Sequence, residues 1–327
     1  MFPSFQQLLP TLQPAIKTSQ ENRKKAKKKI FRNFIIGFVL WVSVILSWIL
    51  FQSRDVTGTI LFIVFLASAV LIGLSLRAVK VFRLSYSKIL VANLVKQLFA
   101  NIEPNEEDEN HEYRVSYMPG RKISSSKIKE SNLISSYTRY NGEDYTVGKL
   151  GLTTFEFSEI LLQKEEYYTD RNGRRQKRVK KVFDGIIFIA DFHKHFSGET
   201  YLIRKRFFGS DKWRLVFDGS FEIELEDMEF NETFRTMTTN DIEARYILSS
   251  NLMKKIMEFN KRAKGNVQIA FRNSKMFITK ETSKNHFEGK FFRNNDEEVL
   301  EEIYNDFRLY FDIIEEFTLN RRIWSKV

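Results

Sequence analysis

Two stretches, 34–51 and 56–76, run for 18 and 21 residues without a charged side chain, and only Gln52, Ser53, Arg54 and Asp55 separate them. A helix rises ~1.5 Å per residue, so each stretch can cross the ~30 Å of hydrocarbon in a bilayer. A four-residue connection between two such spans permits only a tight helical hairpin, which puts both chain ends on one side of a membrane. Arg23, Lys24, Lys25, Lys27, Lys28, Lys29 and Arg32 precede the first span, and Arg77, Lys80, Arg83 and Lys88 follow the second. Cations flanking spans mark the cytoplasmic side, so both termini are expected there. A cleaved signal peptide would have a shorter apolar region and a small-residue cleavage site, and no such site precedes the second run.

These spans explain most of the charge. The chain carries 52 Lys and Arg against 41 Asp and Glu, an excess that first suggests nucleic acid as a partner. Residues 1–84 hold 12 of the basic and 2 of the acidic side chains, whereas 85–327 hold 40 and 39. The excess therefore reports topology, and the remainder of the chain is nearly neutral. The flanking cations also suit anionic lipid, at roughly 1 kcal/mol each near the surface. The absence of cysteine excludes disulfides, thiolate catalysis and Cys-ligated metal.

Residues 1–22 carry Phe2, Phe5, Leu8, Leu9, Leu12 and Ile16, interrupted by Pro3, Pro10 and Pro14. Proline breaks helix interiors, so a short interfacial segment or a loose tail is predicted there rather than a long helix. After the second span, Ile89, Leu90, Leu94, Val95, Leu98 and Phe99 recur at helical spacing and predict a helical stalk. An acidic stretch at 101–112 lacks the alternating ligands and central glycine of a calcium loop.

Strand signals dominate from Tyr145 to Phe217. The extended candidates at 153–168 and 174–191 are joined by Asp170-Arg171-Asn172-Gly173, a hairpin signal, and further strands are predicted at 199–207, 213–217 and 221–225. Residues 241–263 read as helical, with Ser249 or Ser250 able to restart a helix and Gly265 closing it. A second hairpin turns at Asn273-Ser274, and Leu300, Ile303, Tyr304, Phe307, Phe311, Ile314 and Phe317 share one face of a terminal helix. Strands and helices do not alternate as βαβ units, so the fold class is α+β. The expected organisation is a basic cytoplasmic segment (1–33), two transmembrane helices (34–76), a helical stalk (77–100) and a cytoplasmic α+β domain with an antiparallel sheet and C-terminal helices (101–327).

Motifs for chemistry are incomplete. The string Gly142 to Leu150 has five residues between its glycines where a P-loop has four, and Leu150 stands where Ser or Thr would bind magnesium. His193 and His195 lie two apart beside Asp191, a weak metal signal that lacks further ligands. Carboxylate pairs at Glu143/Asp144, Glu226/Asp227 and Asp241/Glu243 are read as a turn, a strand end and a helix N-terminus. No cofactor or metal is assigned. The strongest feature is Arg171, Arg174, Arg175, Lys177, Arg178, Lys180 and Lys181, which would line one hairpin ribbon beside Tyr167 and Tyr168 and suit an anion.

Several strings together resemble a known family. They are Gly142-Glu143-Asp144, Phe157-Ser158-Glu159, Ala190-Asp191-Phe192, Leu225-Glu226-Asp227, Glu243-Ala244-Arg245-Tyr246-Ile247-Leu248 and Arg322-Ile323-Trp324. The chain from about 80 to 324 resembles the bacterial membrane family designated domain of unknown function thirty-one thirty-seven. The resemblance implies an inner-membrane protein with a short anchor and a cytoplasmic domain, and a LemA-type membrane protein as a partner; it implies no catalytic residue. The expected function is a membrane-anchored module that binds a partner protein or anionic lipid headgroups, nucleic acid being disfavoured. The alternative is a membrane-bound hydrolase using carboxylates with His193 or His195.

Overall fold

The computed structural model describes residues 2–51, 54–100, 114–151, 153–170, 172–191, 197–205, 219–263, 266–282, 291 and 295–316. The chain forms two compact units, one of Ser4–Leu94 with Phe287–Glu302, the other of Met1–Pro3, Val95–His286 and Ile303–Val327.

The first unit is a helical hairpin of α1 (Phe5–Phe51) and α2 (Arg54–Tyr86). The helices run antiparallel, as three interhelical bonds show: Asn22 Nδ2 to Ser85 Oγ, Asn33 Nδ2 to Ser75 Oγ and Trp41 Nε1 to Ser68 Oγ, each 3.2 Å. Both are long and apolar enough to cross a membrane, with stretches of mean hydropathy 1.8 and 2.6. Phe34, Phe38, Phe62 and Phe65 are all more than 60% exposed, an outer surface that suits lipid. After α2 the chain passes through a π-helical segment, Ser87–Val91, into α3 (Ala92–Ala100), so the predicted amphipathic segment is helical and buries Leu90, Leu94, Val95, Leu98 and Phe99.

The N-terminal segment departs from expectation, because α1 is continuous through Pro10 and Pro14. Ser4 and Gln7 open it with a capping box, the Ser4 N–H donating to Gln7 Oε1 at 2.7 Å. Two interior prolines cost about 6 kcal/mol by propensity, whereas burying Phe5, Leu8, Leu12 and Ile16 contributes roughly 6–12. The apolar stripe therefore outweighs the breakers.

The second unit is built on a nine-stranded sheet in which every pair is antiparallel. Its elements are β1 (Arg114–Met118), α4 (Ser125–Ser131), β2 (Arg139–Leu150), β3 (Thr153–Thr169), β4 (Arg175–Asp191), β5 (Thr200–Arg204) and β6 (Phe221–Ile223). They continue with α5 (Met228–Thr233), β7 (Phe234–Thr238), α6 (Asp241–Ile247), α7 (Ser250–Ala263), β8 (Asn266–Arg272), β9 (Lys275–Glu281) and, from Ile303 on, α8 (Asp296–Glu316). The strand order is β1-β2-β3-β4-β9-β8-β5-β7-β6. The α+β class and both predicted hairpins hold.

One face of the sheet is aromatic: Phe155, Phe157 and Phe188 pack against Phe307, Tyr310 and Phe311 of α8. The other face carries Ile160, Leu162, Ile187, Ile189 and Phe277, covered by Ile123, Ile128 and Leu133. The β8–β9 turn places Asn273 and Ser274 at φ 52° and 60°, the primed geometry that matches strand twist. Gly185 sits where β4 meets β9; a Cβ there would lie 2.1 Å from the Lys280 carbonyl oxygen, so only glycine permits the approach.

Several expectations shift. The helical stretch 241–263 is two helices, α6 and α7, broken at Leu248, and the predicted restart holds: the Ser249 hydroxyl accepts the Leu252 N–H at the start of the second. Asp227 ends no strand; it caps α5 by accepting the Phe230 N–H at 2.9 Å. Asp144, at φ 56°, belongs to a bulge within β2 rather than a turn between elements. The predicted strand at 213–217 and Gly265 lie outside the described residues.

Candidate functional site

The basic hairpin is where two strands outrun their sheet. Strand β2 pairs with β3 only as far as Arg139 opposite Gln163, and β9 pairs with β4 only as far as Glu281 opposite Gly185. From Lys164 to Lys181 the two strands pair only with each other, and all of 175–181 is exposed. A register shift between Leu162 and Gln163 leaves Val182 unmatched at the root of this ribbon. Such a bulge increases local twist and re-aims the strands beyond it.

Opposite residues of an antiparallel pair share a face, so the register assigns each cation. Arg175, Lys177 and Lys181 lie with Tyr167 and Glu165, while Arg178 and Lys180 lie with Lys164, Glu166 and Tyr168. The expected single basic surface is therefore divided between two faces, because alternate residues of a strand point opposite ways. Arg174 sits in the turn, and Arg171 lies outside the described residues.

The faces differ in how far their charge is already satisfied. On the first, Lys177 Nζ pairs with Glu165 Oε2 at 2.8 Å, Arg139 also pairs with Glu165, and Lys181 Nζ bonds Asp184 at 3.0 Å. The Arg175 guanidinium lies 4.5 Å from the Tyr167 ring centre. The Lys177 bond, more than any other interaction, holds the Glu165 carboxyl below its ordinary range. On the second face Glu166 stands opposite Arg178, but neither Arg178 nor Lys180 makes an ion pair among the described residues. The turn is held by Asp170, whose Oδ1 accepts the N–H groups of Asn172 at 3.0 Å and Arg174 at 2.9 Å; the Arg174 bond is the main cause of its lowered pKa.

A second basic feature encircles the helical hairpin. Lys24, Lys25, Lys28, Lys29 and Arg32 are exposed on α1, and Arg77, Lys80 and Arg83 on α2. The Asn22–Ser85 and Asn33–Ser75 bonds bracket both groups, so the antiparallel register brings them to one level as a collar. Arg23 turns inward, to Asp296.

Among the described residues, the carboxylates considered for catalysis do not gather. A cleft of about 370 Å³ is lined by Lys127, Glu156, Asp191, Asn273, Ser274 and Lys275 among others, but not by Glu143 or Glu226. Its lysines are engaged, Lys127 by Glu156 and Lys275 by Glu130 at 2.8 Å. Tyr145 donates to Glu156 at 2.8 Å, and burial foremost pushes its phenol up to about 12. Glu226 instead bonds Arg245 at 2.7 Å. His193 and His195 lie outside the described residues, among which no three His, Asp or Glu side chains form a metal-binding group.

Fold and site together describe a two-helix apolar hairpin joined to an antiparallel α+β unit with a projecting basic ribbon. Residues 181–319 match the family model described as "Protein of unknown function (DUF3137)", which bears out the family resemblance over that segment. No curated protein matches the chain. Among solved structures, the mycobacterial trehalose monomycolate transport factor A, TtfA, is similar with 7% identity and a TM-score of 0.34, over 60% of this chain and 88% of that one. A likeness at that level carries no argument about function.

Proposed function

We propose that the protein is a membrane-anchored binding module whose projecting β3–β4 ribbon engages an anionic surface, either acidic lipid headgroups or the acidic face of a partner protein. The observation that carries this reading is that the ribbon leaves the sheet at Gln163 and exposes cations on both faces, with Arg178 and Lys180 making no ion pair among the described residues. Such a surface binds by charge, with affinity that falls as salt rises. The role is one of binding rather than catalysis, and the engaged charges in the cleft support that reading.

The same proposal places the anchor in a bacterial inner membrane, both helices crossing it and both termini cytoplasmic. The collar supports this, because cations on both helices stand at one level beside the apolar stretch. Reporter fusions at each terminus and at residue 53 test it: cytoplasmic signal at both ends and external signal between the spans is expected, and any other pattern rejects the orientation. For the ribbon, the full chain in zwitterionic nanodiscs is mixed with phosphatidylglycerol vesicles. Co-sedimentation that is lost in Arg174→Gln/Arg178→Gln/Lys180→Gln is expected; equal binding by both proteins would remove the ribbon from the proposal.

A further inference from the structure

Residues 221–246 invert the ribbon's chemistry, with eight carboxylates against the two cations Arg235 and Arg245. Both cations are engaged locally: Arg235 bonds Glu222 at 3.1 Å, and Arg245 bonds Glu226 at 2.7 Å and Asp241 at 2.9 Å. Glu224 and Glu232 are exposed and have no cation partner among the described residues.

The same region turns four large apolar side chains outward. Ile242 is 82% exposed, Met228 79%, Tyr246 59% and Phe221 48%. Ile242 and Tyr246, four apart, share a face of α6. Arg245 ties Glu224 and Glu226, just before Met228, beside that helix, the bond to the Glu224 carbonyl being 2.9 Å. Phe221 pairs with Thr238, two residues before the α6 cap Asn240. A single exposed apolar residue is ordinary, but four gathered within an acidic rim mark an interaction surface.

The complement of that surface is a cationic element with exposed aromatic groups, and the chain possesses one. Residues 164–181 carry eight cations against three carboxylates, and Tyr167 and Tyr168 are 57% and 52% exposed. Within one molecule the two features are kept apart: five strand-to-strand steps separate β4 from β6, about 24 Å at ~4.8 Å per step. We infer that the acidic apolar surface around Ile242 receives the β3–β4 ribbon of a second copy. This rests on the reading of the ribbon as an element for anionic surfaces, and it names the surface. The contact is head to tail, each copy offering one ribbon and one receiving surface, so the copies can close as a reciprocal pair or a ring or extend as a row. Anchoring in one membrane raises the effective concentration of the two surfaces.

The chain has no cysteine, so introduced thiols report this contact alone. Full-length Tyr168→Cys and Ile242→Cys, mixed in non-ionic micelles and oxidised, are expected to give the mixed disulfide, with little of either homodimer. In sedimentation, Arg178→Glu/Lys180→Glu and Glu224→Lys/Glu232→Lys are each expected to weaken self-association at least tenfold, and mixing the two variants to restore it. Wild-type chain that stays monomeric, gives no mixed disulfide and yet binds phosphatidylglycerol vesicles through the ribbon overturns the self-association while leaving the ribbon's role intact. Loss of both behaviours overturns both. Self-association with Tyr168 linked only to Tyr168 overturns the head-to-tail geometry.

Discussion

Arg23 of α1 and Asp296, the first residue of α8, form an ion pair across 273 positions of sequence, with side chains 5% and 0% exposed. The guanidinium also lies 5.2 Å from the Phe82 ring centre. Burial pushes the Asp296 carboxyl up, and Arg23 opposes that shift. Removing one member leaves the other charged, buried and unanswered, so Asp296→Ala is expected to cost about 3–5 kcal/mol in unfolding of the full chain in micelles. Arg23→Met with Asp296→Leu should recover most of that loss. Equal destabilisation by the single and double variants would show that the pair's charge is not what matters.

Gly185→Ala is the sharpest test of the sheet. Its methyl group would lie 2.1 Å from the Lys280 carbonyl oxygen, a backbone atom that cannot move without parting β4 from β9. A loss of about 3 kcal/mol is expected, at the upper end of overpacking costs. Gly173→Ala is the companion: nothing lies near its Cβ, and only its φ of 74° opposes substitution, so about 1 kcal/mol is expected from chemical denaturation.

At the β8–β9 turn, Asn273→Gly should be neutral or slightly stabilising and Asn273→Val should cost about 1–2 kcal/mol. Both central residues have positive φ, a geometry that a β-branched side chain resists. Thermal melts of the two variants decide the matter, and equal midpoints would contradict the turn assignment.

Acid should loosen the ribbon before the core. Asp170 and Glu165 both have folded pKa values below their ordinary ones, chiefly through the Arg174 N–H and Lys177 respectively. A depressed folded value contributes stability that is complete above the unfolded pKa of about 4 and disappears as pH falls through the folded value. Amide exchange at Asn172 and Arg174 is therefore expected to rise below about pH 4 while the Phe157 region stays protected. Uniform exchange across both regions would argue that the ribbon does not open on its own.

Ribbon cations are functional rather than structural in this reading. Arg178→Gln and Lys180→Gln are expected to change stability by less than about 0.5 kcal/mol, because both side chains are exposed. Their effect should appear in vesicle binding and its salt dependence. A large stability loss would move these residues into the fold's own support.

What could be read from the sequence follows physical scale. The charge-free runs and the long alternating arms gave α1, α2, β3 and β4 to within a few residues at the arms, and Asn273-Ser274 gave its turn, because each signal is local. The continuity of α1 through Pro10 and Pro14 was illegible, since it depends on the burial of Leu8 and Leu12, which only the folded chain shows. Short elements such as β1, α4 and β7 lack enough residues for periodicity to speak. The division of the ribbon's cations between faces needed the register, and the bulge at Val182 shifts that register midway. The acidic surface of 221–246 needed the fold, because nothing local marks Ile242 and Met228 as the apolar residues that it leaves exposed.

The position of β8–β9 in the sheet has a consequence for synthesis. These strands, from residues 266–281, fill the gap between β4 and β5. Until they leave the ribosome, β4 and β5 each keep an open edge of backbone donors and acceptors, by which time the apolar helices have long emerged. A chain stopped before residue 266 would be left with two unsealed half-sheets, a substrate for proteases and chaperones rather than a smaller working domain.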